Sequence, residues 1–310
     1  MHQLSVLCGG SGSSKFALAI TRGLAQSSRV VDARFFSNVG DNFWHYGLYI
    51  CPDVDILLYA LAGMLDESKG WGITGDTFVV RDTLRTYDKE SAWFNLGDRD
   101  FALSVRRTEL LTMGRKRLSE ITEELRGALK IKYPVIPSSD DPVETHVKTA
   151  NGWMHLQEFW VKNKAALEPL EVRYDGIESA KPNPNLAILP GSTVLCPANP
   201  ITSILPIVNL KGVRESLRRS KTIAISPFVG DKPYSGPAGV LMKALGLEAS
   251  SYGVAKLYSD FLRIMLVDKN EECGIIRRIR DLGVECVSRN TRLANEQDKL
   301  SFWNDLSELL

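Results

Sequence analysis

Short apolar runs alternate with amphipathic segments near both ends of the chain. The first run, residues 4–8, is typical of a buried strand, and helical spacing over residues 16–24 follows it after a glycine-rich stretch. Further apolar runs, separated by segments with helical spacing, occupy residues 30–36, 193–196, 222–226, 264–267 and 284–287. This alternation of strand and helix predicts an α/β fold with a doubly wound, mostly parallel sheet.

The middle of the chain has a different pattern. Three segments carry apolar positions three and four apart, which predicts helices over residues 76–87, 101–113 and 118–130. Two alternating runs meet at Asn151-Gly152, a pair that favours a tight hairpin turn, and these runs are 144–149 and 153–161. We therefore expect an α/β core formed by residues 1–66 and 185–310, with a helical and β-hairpin insertion at 67–184.

Composition narrows the class of protein. The 310 residues include 38 basic and 37 acidic side chains, a net charge of +1, so no nucleic-acid-binding face is expected. The five cysteines are odd in number and far apart, which favours reduced thiols and a cytoplasmic protein over a disulfide framework. The sequence shows no secretory signal pattern and no apolar run of about 18 residues, so we expect no membrane anchor.

The glycine-rich stretch after the first strand is a candidate binding element. Gly9, Gly10 and Gly12 allow a sharp turn and a close approach of a ligand to the backbone, and Ser13 or Ser14 could cap the following helix. A strand that passes through glycines into a helix places backbone N–H groups and the positive helix end where a phosphate can bind. The spacing matches neither the dinucleotide-binding motif nor the P-loop, and a plain tight turn is the alternative.

Other polar residues follow the carboxyl ends of predicted strands. Asn38 and Asp41 follow the second strand. Three longer polar segments follow later strands, and these are 197–203, 227–230 and 235–237. Because doubly wound sheets bind ligands at the carboxyl edge, we expect these segments to share a crevice with the glycine-rich stretch.

Aspartates in this region are candidate metal ligands. Asp41 and Asp55, with Asp53 as a further candidate, could bind a hard cation such as Mg²⁺ through oxygen atoms. Asp53 and Asp55 also suit the first turn of a helix that starts at Pro52, so helix capping is the alternative. The chain has no HExxH-type histidine pair and no GxSxG motif, which favours direct transfer of a phosphorus-bound group over zinc chemistry or a covalent intermediate.

Several short motifs run through the chain. The most specific are Leu-Gly-Asp-Arg-Asp at 96–100 and His-Leu-Gln-Glu-Phe-Trp at 155–160. The others are 9–12 with Lys15, 38–41, 51–55, 139–142, 199–204, and Ser226-Pro227 with 235–238. On these motifs, the chain resembles over nearly its whole length the 2-phospho-L-lactate transferases, the CofD-like proteins of coenzyme F-420 biosynthesis.

The resemblance implies a Rossmann-like core and a transferase reaction. In that reaction the terminal ribityl hydroxyl of the deazaflavin Fo attacks a phosphorus of a guanosine-diphosphate-linked three-carbon acid, and GMP leaves. Fo thereby receives a 2-phospholactyl, enolpyruvyl-phosphate or phosphoglyceryl group, and the sequence leaves open which of these is donated. Family members use Mg²⁺, and the family also suggests a homodimer.

The resemblance further implies roles for individual residues. Mg²⁺ would be bound by Asp41 and Asp55, and Asp41 or Asp98 would accept the proton of the attacking hydroxyl. The phosphates and the nucleotide would be held by Gly9, Gly10, Ser11, Gly12, Lys15, Asn199, Pro200, Thr202, Ser203 and Ser226. The acceptor Fo would lie against Asn38, Trp44, Asp55, Asp98, Arg99, His155 and Trp160.

Two other functions are compatible with parts of the sequence. A non-catalytic regulator that binds a nucleotide or a nucleotide sugar belongs to a sister family with the same glycine stretch, but the intact motifs at 96–100 and 155–160 count against it. A dinucleotide-dependent oxidoreductase would carry an acidic residue at the end of the second strand, where this chain has Asn38. The transferase is therefore the predicted function.

Overall fold

The computed structural model describes residues 2–28, 30–90, 92–230, 232–233 and 236–310. The strands are β1 (His2–Cys8), β2 (Val31–Ser37), β3 (Phe43–His45), β4 (Leu48–Ile50), β5 (Val135–Pro137), β6 (Glu144–Thr149), β7 (Gly152–His155), β8 (Glu171–Asp175), β9 (Ser192–Leu195), β10 (Lys221–Ile225), β11 (Phe228–Val229), β12 (Lys232–Pro233), β13 (Ile264–Asp268) and β14 (Glu285–Arg289).

The helices lie between these strands. They are α1 (Gly10–Gln26), α2 (Pro52–Leu61), α3 (Val79–Tyr87), α4 (Asp98–Thr112), α5 (Leu118–Ala128), α6 (Pro184–Ala187), α7 (Leu205–Val208), α8 (Val213–Arg219), α9 (Ala238–Ala244), α10 (Ser251–Tyr258), α11 (Cys273–Asp281) and α12 (Glu296–Leu309). Two π-helical turns occupy Glu158–Lys162 and Pro200–Ile204. Within the described residues, no helix combines the length and the apolar character needed to span a membrane.

The core is a seven-stranded parallel sheet in the order β14-β13-β10-β9-β1-β2-β5. The first three of these strands along the chain extend from β1 towards one edge, and the last four extend from β9 towards the other. The chain thus changes direction between β1 and β9, which is where doubly wound folds bind ligands. Leu7 pairs with Phe36 on one side and with Leu195 on the other, so three strand ends meet at one level. The predicted Rossmann-like fold is confirmed.

Apolar burial explains the central strands and the helix that follows the first of them. All four residues of β9 and all five of β13 are buried, as expected for strands covered on both faces. Helix α1 buries Phe16, Ile20 and Leu24 along one stripe. Phe302 of α12 meets Phe16 edge to face at 5.0 Å. The apolar residues of the C-terminal helix therefore pack into the core, while the predicted homodimer stays a prediction.

The middle segment agrees with the sequence in outline and differs in two details. Helices α3, α4 and α5 and the β6–β7 hairpin are present, and β8 adds a third antiparallel strand. The predicted strand 153–161 ends at His155, and the chain continues as a helical segment. The short strand β5 pairs with β2 at the edge of the core sheet. Residues 67–184 are therefore not one continuous insertion. The sequence pattern did not reveal β5, because the three residues that follow Pro134 are too few to show a strand pattern.

Candidate functional site

A cavity of about 460 Å³ opens where the strand order reverses. Its floor is formed by residues 9–12 after β1 and, after β9, by Ala198, Asn199, Thr202 and Ser203. Helix α2 and the middle segment supply further walls, and Gly236 and Pro237 contribute from the loop after β12. The edge predicted from the sequence is thus the edge at which the structure forms its cavity.

The glycine stretch forms the N-terminus of α1 at this cavity. Gly9 is the N-cap, no side chain caps the helix, and residues 9–12 line the cavity. Ser13 accepts a hydrogen bond from the Gly9 N–H (2.9 Å) and donates one to its carbonyl (2.7 Å), so the predicted serine cap is wrong. A Cβ on Gly9 would lie 2.5 Å from the Ser203 Cβ, so only glycine lets these segments approach. The first-turn N–H groups and the positive helix end suit an anion.

Two buried carboxylates share one amide next to this helix end. The Asn38 Nδ2 donates to Asp41 at 3.1 Å and to Asp53 at 2.9 Å, and the Gln157 amide donates to Asp41 at 3.2 Å. Burial raises the pKa of Asp53 to about 6. Burial and then the Asp53 charge raise the pKa of Asp41 well above its usual value. Neither forms an ion pair with the described residues, so this acidic pair, Asp41 and Asp53, lacks a counter-charge from the described part of the chain.

Asp55, two residues after Asp53, has a different partner. Both of its oxygens accept from the guanidinium of Arg107, one of them at 3.1 Å, and Arg107 also donates to the Tyr49 carbonyl at 3.3 Å. Arg107 is fully buried. Burial raises the pKa of Asp55, and the Arg107 charge opposes that shift. The predicted ligand Asp55 does line the cavity, but its charge is already balanced from within the chain.

Asp100 is a fourth carboxylate on the cavity wall, and the sequence analysis did not single it out. It is 9% exposed and lies beside the hydroxyl of Tyr59, which also lines the cavity. Burial raises the pKa of Asp100 to about 6, while the Tyr59 hydroxyl works in the opposite direction. The Asp100 carboxyl therefore has the environment of a proton acceptor.

Asp98, the predicted proton acceptor, is not among the described residues that line the cavity. Its oxygens accept from the Thr77 hydroxyl (2.5 Å) and from the Val79 and Val80 N–H groups (3.1 and 2.9 Å). The Thr77 hydrogen bond is the main cause that lowers the pKa of Asp98. Asp98 is thus a capping residue for α3, and a carboxylate bound in this way is a weak base.

The cavity wall collects some of the predicted site residues and not others. Those that line it are Gly9, Gly10, Ser11, Gly12, Asp41, Asp55, Trp160, Asn199, Thr202 and Ser203. The predicted residues that are absent from the described lining are Lys15, Asn38, Trp44, Asp98, Arg99, His155, Pro200 and Ser226. Ser235, which belongs to one of the matching motifs, lies outside the described residues. Among the non-lining residues, Asn38 acts on the site through the two carboxylates that it holds.

His155 supports the wall from behind. Its ring stacks on Phe43 at 5.1 Å, and its Nδ1 accepts the Gln157 N–H at 3.1 Å. Burial lowers the pKa of His155 to about 4, so the ring is neutral at physiological pH. The hydrogen bond to Gln157 fixes the start of the helical segment that carries Trp160 into the cavity wall.

Asn199 lines the cavity and carries a buried donor without a partner among the described residues. Its Oδ1 accepts from the Ile201 and Thr202 N–H groups (3.0 and 3.4 Å), which caps the π-helical turn Pro200–Ile204. Its buried Nδ2 has no hydrogen-bond partner among the described residues. A buried unpaired donor on a cavity wall is expected to bind a ligand atom.

The sequence motifs contain signals for the residues that were missed. Asp100 stands at the end of the 96–100 motif, and Gln157 stands inside the 155–160 motif. Trp71 and Lys164, which also line the cavity, lie in segments without a recognised motif. Their contribution is visible only in the folded chain.

Several known proteins resemble this chain in sequence. The family model described as 2-phospho-L-lactate transferase CofD matches residues 4–297. A phosphoenolpyruvate transferase of Streptomyces griseus subsp. griseus is 37% identical over 92% of this chain and 91% of its own length. A 2-phospho-L-lactate transferase of Methanosarcina acetivorans is 39% identical, with 86% of both chains covered.

A solved structure also resembles this chain. It is a UPF0052-family protein of Bacillus halodurans, with a TM-score of 0.64, 14% sequence identity, and coverage of 98% of this chain and 99% of its own. At this identity the likeness concerns the fold alone. It agrees with the doubly wound sheet that the strand order defines.

Proposed function

Since the chain belongs to the 2-phospho-L-lactate transferase family CofD, we propose that it transfers a phospho-carboxylate group to the ribityl hydroxyl of the deazaflavin Fo in coenzyme F-420 biosynthesis. The group is 2-phospholactyl, enolpyruvyl-phosphate or phosphoglyceryl, it comes from a guanosine-diphosphate-linked donor, and GMP is released. The observation that carries this proposal is the meeting of a helix N-terminus, a free amide donor and an unbalanced acidic pair in one cavity.

The donor's diphosphate would lie at the N-terminus of α1. The first-turn N–H groups of residues 11 and 12 would donate to its oxygens, and the free Nδ2 of Asn199 would add a side-chain donor. Thr202 and Ser203 line the same wall. Donors that are fixed before the reaction stabilise charge without reorganising, which is the main catalytic contribution available in phosphoryl-type transfer.

The acidic pair fits a divalent cation. Asp41 and Asp53 are 6% and 4% exposed, and repulsion between them adds to the burial that raises the pKa of Asp41. No group of three or more His, Cys, Asp or Glu side chains that could hold a metal ion occurs among the described residues. Mg²⁺ sites of this kind commonly use one or two carboxylates together with substrate phosphates. A bound Mg²⁺ would neutralise charge on the diphosphate.

We assign the ligand role to Asp41 and Asp53 and a supporting role to Asp55. Asn38 holds the two ligand carboxylates at hydrogen-bond distance from one amide, and Gln157 fixes the second oxygen of Asp41. Asp55 pairs with Arg107 in the first turn of α2. This replaces the pairing of Asp41 with Asp55 that the family resemblance suggests.

Asp100 is our candidate for the group that accepts the proton of the attacking hydroxyl. Asp100 lines the cavity, and burial raises its pKa to about 6. Asp98 has a lowered pKa, so Asp100 is the stronger base of the two. Asp100→Asn should lower kcat about 100-fold with a smaller change in KM for Fo. Equal kcat values for the variant and the wild type would remove Asp100 from this role.

A single competition assay tests the reaction. Purified protein is incubated with Mg²⁺, Fo and equal amounts of the guanylylated lactate, enolpyruvate and glycerate donors, and the products are read by mass spectrometry. We expect GMP and one new Fo phosphodiester, whose mass identifies the preferred acid. The Asp41→Asn variant serves as the matched control and should form product about 100- to 1000-fold more slowly.

The opposite outcome has a definite meaning. Absence of any Fo product from the wild-type protein, together with no binding of Fo in a fluorescence titration, would contradict the transferase. A protein that bound a guanosine nucleotide under those conditions would instead act as the non-catalytic regulator.

A further inference from the structure

Charges on the described cavity wall are strongly unbalanced. Four carboxylates line it, from Asp41, Asp53, Asp55 and Asp100, against the single basic side chain of Lys164. Arg107 balances Asp55 from behind the wall, and a divalent cation would balance the acidic pair. Lys164 is therefore the one described lysine or arginine on the wall itself, and its side chain is exposed to solvent and to ligands.

The backbone of Lys164 has an unusual conformation. Lys164 and Ala165 have φ angles of 52° and 48°, in the left-handed region that is unfavourable for residues with side chains. The Ala165 N–H donates to the Phe159 carbonyl at 2.9 Å, and the Ala165 side chain packs against the core, so the turn is firmly held. Glycine or asparagine is usual where a helical segment ends in this conformation. Lys164 is therefore held at a fixed position beside the cavity.

A neighbouring lysine shows the contrast. Lys162 pairs with Glu158 at 3.1 Å across one helical turn and does not belong to the described cavity wall. Lys164 makes no ion pair with any carboxylate among the described residues. Of these two exposed lysines, one is neutralised on the surface and the other is left available at the cavity.

We propose that Lys164 determines donor specificity by binding the carboxylate of the three-carbon acid. The inference rests on the proposed function, which requires a donor with a diphosphate at one end and an acid carboxylate at the other. The diphosphate would bind at the N-terminus of α1 and to the cation that the acidic pair holds. The donor carboxylate then enters a cavity whose other described charges are negative, and only Lys164 offers it a positive partner there.

Matched donors and matched variants test this inference. The donors are a guanosine-diphosphate-linked acid and its carboxamide, which has the same shape without the negative charge. Lactate and lactamide stand for this pair here, and enolpyruvate or glycerate with its amide replaces them if the competition assay identifies that acid. The variants are Lys164→Asn, which suits the left-handed backbone, Lys164→Arg, which keeps the charge, and Lys162→Asn as the surface control. Values of kcat and KM are measured for both donors with Mg²⁺ and Fo in excess.

We expect the wild-type protein to prefer lactate over lactamide by about 10- to 100-fold in kcat/KM, mainly through KM. Lys164→Asn should lose that factor on the lactate donor and keep its rate on the lactamide donor. Lys164→Arg should restore most of the preference, and Lys162→Asn should behave as the wild type. Rising salt should weaken lactate binding in the wild type more than in Lys164→Asn.

Other outcomes overturn the inference. An unchanged lactate-to-lactamide ratio in Lys164→Asn, or an equal loss in Lys162→Asn, would exclude a direct contact with the carboxylate. Turnover of neither donor by the wild-type protein would contradict the proposed function itself and the inference with it. A wild type that is active on both donors without a preference would contradict the inference alone.

Discussion

Asp53 and Asp55 stand two residues apart on one helix and are both buried, yet they are stabilised in opposite ways. Asp55 faces Arg107, which donates to both of its oxygens. Asp53 faces Asn38 and lies next to a second carboxylate, Asp41. The chain thus neutralises Asp55 with its own arginine and leaves the acidic pair, Asp41 and Asp53, without a described cation. A buried charge needs a partner, so we expect a ligand or an ion to neutralise the acidic pair.

The largest expected effect comes from breaking the ion pair between Arg107 and Asp55. Arg107→Met leaves Asp55 buried without its cation and should lower the free energy of unfolding by about 3–5 kcal/mol. Urea unfolding followed by circular dichroism measures this change. The double variant Arg107→Met with Asp55→Asn should recover part of the loss. A single variant that is as stable as the wild type would show that the ion pair contributes nothing.

Removing a carboxylate of the acidic pair, Asp41 and Asp53, should affect function more than stability. Asp41→Asn should lower Mg²⁺-dependent turnover about 100- to 1000-fold, because a group that neutralises transition-state charge is lost. Without Mg²⁺ the variant should unfold no earlier than the wild type, since repulsion between the acids is relieved. Thermal unfolding with and without Mg²⁺ provides the second measurement. Full turnover by Asp41→Asn would contradict the metal assignment.

The pH dependence of stability sharpens the same comparison. Burial raises the pKa of Asp53 to about 6 in the folded chain, whereas an unfolded aspartate titrates near 3.9. The folded state therefore binds this proton more tightly, and the associated stability is lost as pH rises from about 4 to above 6. The loss should be about 3 kcal/mol without Mg²⁺. Asp53→Asn should flatten the plot of unfolding free energy against pH between about pH 4 and 6. A slope equal to that of the wild type would show that Asp53 is not the group that titrates there.

The smallest expected effect concerns the partly exposed carboxylate of Asp98. Asp98→Asn weakens the cap of α3 and should lower stability by about 1 kcal/mol or less, with turnover within about twofold of the wild type. Chemical unfolding and steady-state kinetics measure the two quantities side by side. A large loss of turnover at unchanged stability would return Asp98 to the catalytic role that the family resemblance suggests.

Much of the site's position could be predicted from sequence. The strand pattern correctly placed the glycine stretch, Asp41 and the segment from Asn199 at one edge of a parallel sheet. Strand–helix alternation and the right-handed crossover rule are sufficient for that step. The hairpin at Asn151-Gly152 was equally predictable, because the turn type restricts those two positions to few residue types.

The choice between neighbouring acids could not be predicted. Residues two apart on a helix are rotated by about 200° from each other. Asp53 and Asp55 therefore meet different partners although both line the cavity, and Asp100 lines it while Asp98 does not. Which partner each carboxylate meets depends on how each helix is rotated against its neighbours. The assignments to Asp55 and Asp98 came from motifs, and motifs locate a stretch more reliably than a side-chain direction.

The sequence by itself determined the alternation of strands and helices in the α/β core, the glycine-rich entry into α1 and the family to which the chain belongs. These features depend on local patterns and on residue types at fixed spacing. Only the tertiary structure decided that Asn38 would hold two carboxylates together, that Arg107 would meet Asp55 across 52 positions, and that Lys164 would reach the cavity. Such pairings depend on helix rotation and on the path of loops, because electrostatic partners are chosen by distance in space and not along the chain.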